Sequence, residues 1–139
     1  MHFLKSIKSE KKLDSITEPI AKNLANGDII FLEGALASGK TTCIREIIKS
    51  VSLIKKKSFS FQGSPTYQKA NTYDFKNLNI LHFDFYNLKQ NDQNDLEDYI
   101  VDNSILMEWP SKNMKGKYNL EALFISISIQ NNVRIFKLH

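Results

Sequence analysis

Apolar positions along this chain switch between two periods. Asp28-Ile29-Ile30-Phe31-Leu32, behind Asn26-Gly27, is a β-rich apolar run and predicts a strand buried on both faces, as parallel strands are. Ile44, Ile47, Ile48 and Val51 then recur at helical spacing, which predicts an amphipathic helix directly after that strand. Upstream, Ser15-Ile16-Thr17-Glu18-Pro19 carries helix-start chemistry. With Thr17 as cap and Pro19 in the first turn, the helix runs to Asn26, buries Ile20 and Leu24, and stops at Gly27. An earlier start would leave Pro19 to kink it. Residues 1–12 are lysine-rich and are expected to be loosely ordered.

Downstream the pattern turns β-like. Ser58 to Phe61 reads as a short strand, and Gln62-Gly63-Ser64-Pro65-Thr66 as a loop of turn formers and hydroxyls stiffened by Pro65. Tyr67–Asp74 and Asn79–Tyr86 predict a hairpin turning at Lys76-Asn77. Asn91–Asp102 predicts a helix with Leu96, Tyr99 and Ile100 on one face. Ser104-Ile105-Leu106-Met107-Glu108-Trp109-Pro110 is a second apolar strand that ends in an acid. Residues 120–129 and 133–138 alternate and predict a closing hairpin through Gln130-Asn131-Asn132.

Composition narrows the class. A length of 139 residues with 42% hydrophobic and 24% charged side chains suits one globular domain over 1–139. The net charge of +4 suits an anionic ligand, and nearly all of it is lysine, the arginines being Arg45 and Arg134 alone. Lys55-Lys56-Lys57 reads as a solvated loop. The single cysteine, Cys43, excludes an internal disulfide and reads as a packing residue of a cytoplasmic protein. No stretch is long and apolar enough to span a membrane, and nothing near Met1 marks export.

The chemistry centres on Gly34-Ala35-Leu36-Ala37-Ser38-Gly39-Lys40-Thr41-Thr42, which reads G-x-x-x-x-G-K-T between the predicted strand and helix. Gly34 lets the backbone leave the strand sharply, and Gly39 lets it pass close to phosphate without a Cβ. Successive N–H groups form an anion nest, reinforced by the positive end of the following helix. Lys40 can reach β- and γ-phosphates, and the Thr41 hydroxyl can ligate Mg²⁺. The expected fold is therefore α/β, a P-loop NTPase fold with a mainly parallel central sheet, flanking helices and antiparallel hairpin additions.

Such a site needs a carboxylate near Mg²⁺ and a group that places the attacking water. Asp84 and Glu108 both follow apolar strands, which deliver them to the carboxyl ends of the sheet. Glu108 is assigned to Mg²⁺, directly or through water, and Asp84 to positioning or activating the water, with the swapped assignment open. His82 shares the strand face of Asp84 and either orients the carboxylate, contacts phosphate or is structural. Trp109 is either a core anchor or a lid over the site.

Ser64-Pro65-Thr66-Tyr67, His82-x-Asp84-x-Tyr86 and Glu108-Trp109-Pro110, downstream of Gly34 to Thr42, resemble the bacterial TsaE (YjeE) family over residues 13–138. The resemblance implies a small Mg²⁺-dependent ATPase that acts with a TsaB–TsaD pair in threonylcarbamoyladenosine (t6A) modification of tRNA at position 37, with tRNA reached indirectly through that complex. It implies that the segment of Ser64 and Thr66 is a switch beside the nucleotide, and that the family's acids fall on Asp84 and Glu108. The chain departs from the family where Ala37 replaces a common glycine, where Asn87 replaces an arginine, and where Leu13 takes the place of a hydroxyl near the adenine. With Asn87 there, intrinsic ATP hydrolysis is expected to be slow and stimulated by the partner. Two other functions compete: a P-loop kinase of a small metabolite, which the scarcity of arginine disfavours, and a nucleotide-gated adaptor that needs no hydrolysis.

Overall fold

The computed structural model describes residues 3–7, 12–65, 70–86 and 96–139. Seven strands and four helices follow one another as β1 (Phe3–Ile7), α1 (Asp14–Asn23), β2 (Ile29–Glu33), α2 (Lys40–Lys55), β3 (Ala70–Phe75), β4 (Leu78–Asp84), α3 (Glu97–Ile100), β5 (Ser104–Glu108), α4 (Lys112–Lys117), β6 (Leu123–Gln130) and β7 (Val133–Leu138). The sheet order is β1-β7-β6-β2-β5-β4-β3. Its centre, β6-β2-β5-β4, is parallel, and antiparallel pairs β1-β7, β6-β7 and β3-β4 close the two sides. This is the expected α/β arrangement.

The continuous apolar run of β2 is explained by two cores, one on each face of the sheet. Ile30 and Leu32 join Ile44, Ile47, Ile48 and Val51 of α2 and Ile16 of α1 in one core. Ile29 and Phe31 join Ile105, Met107, Leu96, Met114 and Tyr118 in the other. Alternate residues of a strand point to opposite faces, so a strand covered by helices on both sides must be apolar at every position.

Several expectations need correction. Residues 3–7, expected to be loosely ordered, form β1 on β7; lysine is common on edge strands, where it discourages pairing with another chain, and is no sign of disorder there. Helix α1 begins at Asp14 rather than at Thr17, and it continues through Pro19, where the ring leaves the Ser15 carbonyl without its helical donor. Thr17 does not cap: it is buried inside α1, and among the described residues its hydroxyl has no hydrogen-bond partner. The helix also stops at Asn23, short of Asn26.

Ser58 to Phe61 is irregular rather than a strand. Its alternation serves a different end, because Phe59 and Phe61 lay the segment on the core beside Tyr73 instead of along a strand edge. The Lys76-Asn77 turn is present, with Asn77 at φ 61°. Of the predicted helix over Asn91–Asp102, only Glu97–Ile100 is helical, with residues 91–95 outside the described ones. Helix α4 was not expected from its lysine-rich sequence with an internal glycine, although Ser111 is an N-cap that accepts from Met114 N–H at 3.1 Å.

The closing hairpin turns at Asn131-Asn132, with φ 51° and 64°. Two successive left-handed residues match the twist of a hairpin, and asparagine tolerates that region better than other non-glycine residues. Asn132→Val should therefore lower stability by about 1–2 kcal/mol, read from urea unfolding, while Asn132→Gly should lose nothing measurable.

Candidate functional site

The register of the parallel centre builds the site. Glu108 at the end of β5 lies opposite both Leu32 of β2 and Asp84 of β4. The two acids therefore sit about one strand spacing apart, roughly 4.8 Å, on adjacent strand ends. Residues opposite one another in a parallel pair share a face, and His82 lies two residues before Asp84, so His82, Asp84 and Glu108 all face α2. Helix α2 starts at Lys40, directly after the loop that leaves β2 at Gly34.

Glu108 is the hub. Thr41 Oγ1 donates to Glu108 Oε1 at 2.8 Å, and His82 Nε2 lies 2.7 Å from Oε2. Ser64 Oγ is 3.0 Å from Thr41 Oγ1 and 3.5 Å from Glu108 Oε2. Ser64 also bonds the Asp84 carboxylate. Its loop is pinned to β3: Tyr73 OH accepts from Gln62 N–H at 2.8 Å, and Asn71 Nδ2 donates to the Gly63 carbonyl at 2.9 Å. Thr66 and Tyr67 lie outside the described residues, as does Asn87.

His82 is completely buried behind Glu108, with its ring stacked on Phe61. It orients a carboxylate, and that carboxylate is Glu108 rather than its strand neighbour Asp84. Asp84 is half-buried and accepts from Tyr86 N–H at 3.0 Å. Burial holds its carboxyl above the usual range and the nearby Glu108 pushes the same way, against the hydrogen bonds from Tyr86 and Ser64 and the charge of His82.

Lys40 is buried, and its ammonium folds back on its own loop. It donates to the Gly34 carbonyl at 2.7 Å and the Ala35 carbonyl at 2.8 Å, and it lies 3.5 Å from Ser38 Oγ. Of the two readings of Trp109, core anchor or lid, partial exposure does not fit the first: its ring lies over this ammonium, 4.4 Å from Nζ to the ring centre, with Tyr86 packed beside it. Burial pushes the lysine below its ordinary range while Glu108 and Asp84 pull it back up.

The loop itself is sterically constrained. A Cβ on Gly34 would meet the Ile127 carbonyl of β6 at 2.6 Å. Gly39 caps α2 at φ 111°. Ala37 stands at φ 61°, a conformation in which glycine would be unstrained. Ala35 and Leu36 are exposed at the loop's outer turn, and Thr42 follows Thr41 half-buried on α2. Cys43, one residue further, is wholly buried, and burial above all pushes its thiol up to about 12, consistent with packing.

The hydroxyls of Thr41 and Ser64 with the carboxylates of Glu108 and Asp84 form a hard, all-oxygen donor set of the kind Mg²⁺ takes. The glycine-rich loop with Lys40 suits a polyphosphate. Arg134 was not foreseen as part of the site. Its Nε donates to the Ser38 carbonyl at 2.9 Å from β7, a contact only the full sheet register discloses.

A family model described as "Threonylcarbamoyl adenosine biosynthesis protein TsaE" matches residues 7–136. Proteins named tRNA threonylcarbamoyladenosine biosynthesis protein TsaE are similar to this chain. That of Rickettsia typhi is 33% identical over 135 residues, covering 91% of this chain and 87% of the relative. That of Aquifex aeolicus is 27% identical over 139 residues, covering 99% of each. That of Rickettsia conorii is 36% identical over 117 residues, covering 78% of this chain but only 60% of its own longer chain. The crystal structure of Bacillus subtilis YdiB superimposes with a TM-score of 0.72 at 18% identity, over 99% of this chain and 84% of that one.

Two outcomes follow from this geometry. Ala37→Gly should raise stability by about 0.5–1 kcal/mol, the relief of left-handed strain less the entropy glycine adds to the unfolded chain, as measured by denaturant unfolding. Asp84→Asn should melt at the same temperature as the wild type or higher at pH 7. A carboxyl whose folded pKa is raised favours the fold when protonated, and that contribution is lost as pH rises from the ordinary carboxylate range through the folded value. The difference in melting temperature should shrink as pH falls below that range.

Proposed function

The chain belongs to the TsaE family of tRNA threonylcarbamoyladenosine biosynthesis, and from that premise we propose that it is a Mg²⁺-dependent ATPase subunit acting with a TsaB–TsaD pair in t6A formation. The observation that carries this reading is the 2.8 Å bond from Thr41 to Glu108, directly after a loop with Lys40 at its end. In this reading residues 1–139 form a single cytoplasmic ATPase domain. Among the described residues no helix is long and apolar enough to cross a membrane.

Each side chain then has a task. The N–H groups from Gly34 to Thr42 hold the phosphates, and Lys40 exchanges two loop carbonyls for β- and γ-phosphate oxygens. The Thr41 hydroxyl donates its hydrogen bond to Glu108 and keeps lone pairs free, so it would help to hold Mg²⁺, which when bound would supply neutralisation of phosphate charge. Glu108 Oε1 accepts one hydrogen bond and keeps a further lone pair, so the carboxylate would hold the metal directly or through a water. Asp84, held in place by Tyr86 N–H, orients the attacking water, and its raised affinity for protons suits it to accept one. Ser64 couples the switch loop to both acids, His82 fixes Glu108, and Trp109 covers Lys40 until the phosphates arrive.

Intrinsic turnover is expected to be slow. An arginine at the γ-phosphoryl raises the rate of switch-type enzymes by about 10³–10⁵, and the two arginines here are engaged elsewhere: Arg45 pairs with Glu46, and Arg134 binds the Ser38 carbonyl. Reconstitution of t6A formation with purified TsaB and TsaD, with and without this chain, is the test. The chain should support repeated modification cycles, and its ATPase should rise when TsaB–TsaD is saturating. Lys40→Ala should stay folded, bind ATP roughly ten- to a hundredfold more weakly, and fail to support modification. Fast hydrolysis by the chain alone without stimulation would sink the partner-gated reading, and undiminished t6A formation without the chain would sink the pathway assignment.

A further inference from the structure

We infer that Arg134 is a positioning residue of the phosphate loop: its guanidinium holds the Ser38–Gly39 peptide with the Gly39 N–H turned into the anion nest. The inference rests on the nucleotide-binding reading above and adds a residue from the opposite end of the chain to it.

The geometry begins with the peptide plane. No peptide here is cis, so the Ser38 carbonyl and the Gly39 N–H point in opposite directions. Arg134 Nε donates to that carbonyl at 2.9 Å from the β7 side. Whatever fixes the carbonyl on that side fixes the N–H on the other. Ser38 is 2% exposed, so its carbonyl has little access to water, and its partner is a charged donor.

Three other carbonyls of the loop show the same logic. Those of Gly34 and Ala35 are held by Lys40 Nζ, that of Ala35 also by Ser38 N–H, and that of Gly39 by Cys43 N–H in the first turn of α2. Carbonyl oxygens facing inward would repel phosphate, and these three, like that of Ser38, are turned to donors. Lys40 must leave its two when it moves to phosphate. Arg134 binds a different carbonyl and can keep its hold throughout.

Two further observations tie Arg134 to this task. A Cβ on Gly39 would lie 3.2 Å from Arg134 Nε and 3.6 Å from Cδ, so the side chain is packed directly on the glycine. Its reach is set by the sheet, since Arg134 is in register with Ile129 of β6 and Ile7 of β1, two residues after the Asn131-Asn132 turn. Lysine could not replace it, because the donor is a mid-chain N–H of a planar group and lysine carries its only nitrogen at the tip.

The test is calorimetric binding of ADP and of inorganic pyrophosphate to Arg134→Gln and Arg134→Lys, with thermal melting as the control. Both variants should bind both ligands about tenfold more weakly, by the same factor for each ligand, because the affected N–H serves phosphate and not the base. A change that merely loosened the fold would shift the melt without that equality. A second measurement leaves Arg134 itself unchanged: the Arg134 Nε–H should exchange slowly with solvent by NMR, its signal assigned by comparing the wild-type chain with Arg45→Lys. Wild-type affinity in folded Arg134→Gln, full recovery in Arg134→Lys, or fast Nε–H exchange would overturn the inference. Lys40→Ala separates the two levels. Lost binding there with normal binding in Arg134→Gln rejects the role of Arg134 alone, whereas normal binding in Lys40→Ala removes the nucleotide reading beneath it.

Discussion

A carboxylate buried to 3% exposure at the end of a central strand is the constraint on which this structure depends. An ionised group so far from water is tolerable only if its oxygens are satisfied. Glu108 draws its partners from three separate parts of the chain: Thr41 from the start of α2, Ser64 from the loop before β3, and His82 from β4. Each of those parts must be in register for the carboxylate to be stable. The sheet supplies that register through Leu32, Glu108 and Asp84 side by side. His82 shows how far the demand extends. Its Nδ1 is buried and has no hydrogen-bond partner among the described residues, where what fixes the ring is Glu108 on one side and the stack on Phe61 on the other. Phe61 in turn stacks on Tyr73, whose hydroxyl holds Gln62 two residues before Ser64. The loop that carries Ser64 and the acid that Ser64 touches are thus joined by packed rings as well as by hydrogen bonds.

Backbone strain gathers in the same place. Ala37 at φ 61° and Trp109 at φ 58° are non-glycine residues in the left-handed region, and a bulky residue there is a true outlier. Strain of this kind persists where the surroundings over-determine it. Trp109 is held by its N–H toward the Leu32 carbonyl at 3.4 Å, by Tyr86 and by the Lys40 ammonium. Its conformation lets Glu108 point to the α2 face while the next side chain covers the loop lysine. The turn after β5 thereby serves two neighbouring groups with consecutive residues, which a relaxed extended strand would have sent to opposite faces.

Much of this was legible in the sequence because it is local. The loop is a contiguous motif, and its flanking strand and helix announce themselves by period, as Ile29–Leu32 and the Ile44-to-Val51 stripe do. The strand-end positions of Asp84 and Glu108 were legible because a strand delivers its last residue to one edge of the sheet. What stayed hidden depends on where strands lie beside one another. The partner of His82 is decided by β4–β5 register and not by its own strand. Arg134 meets Ser38 only because β7 pairs with β6 and β6 lies beside β2. The Phe59–Phe61 alternation misleads for a related reason: a segment laid across a core shows the same alternation as a strand, and only its lack of a ladder tells them apart. The early start of α1 was obscured by Pro19, which a helix anchored by Leu13 and Ile16 in the core carries at the loss of one hydrogen bond.

The position of Lys40 bears on how such a site can bind tightly without being unstable when alone. Its ammonium is buried, and a buried unpaired ammonium would lose charge or destabilise the fold. Here it is satisfied by two carbonyls, a serine hydroxyl and an indole face, with Glu108 and Asp84 supporting the charge from a distance. A polyphosphate entering the loop must outbid these contacts, so the affinity it gains from the lysine is a difference between two well-made arrangements and not the whole of a charge–charge attraction. The carbonyls released by the lysine then need new donors or water, and the Ser38 N–H already shares the one at Ala35. Under the nucleotide-binding reading, the resting loop is an ordered competitor of the polyphosphate. In that reading the rest of the nest is best held by groups that take no part in the exchange, such as the first turn of α2 and the arginine of the β6–β7 hairpin.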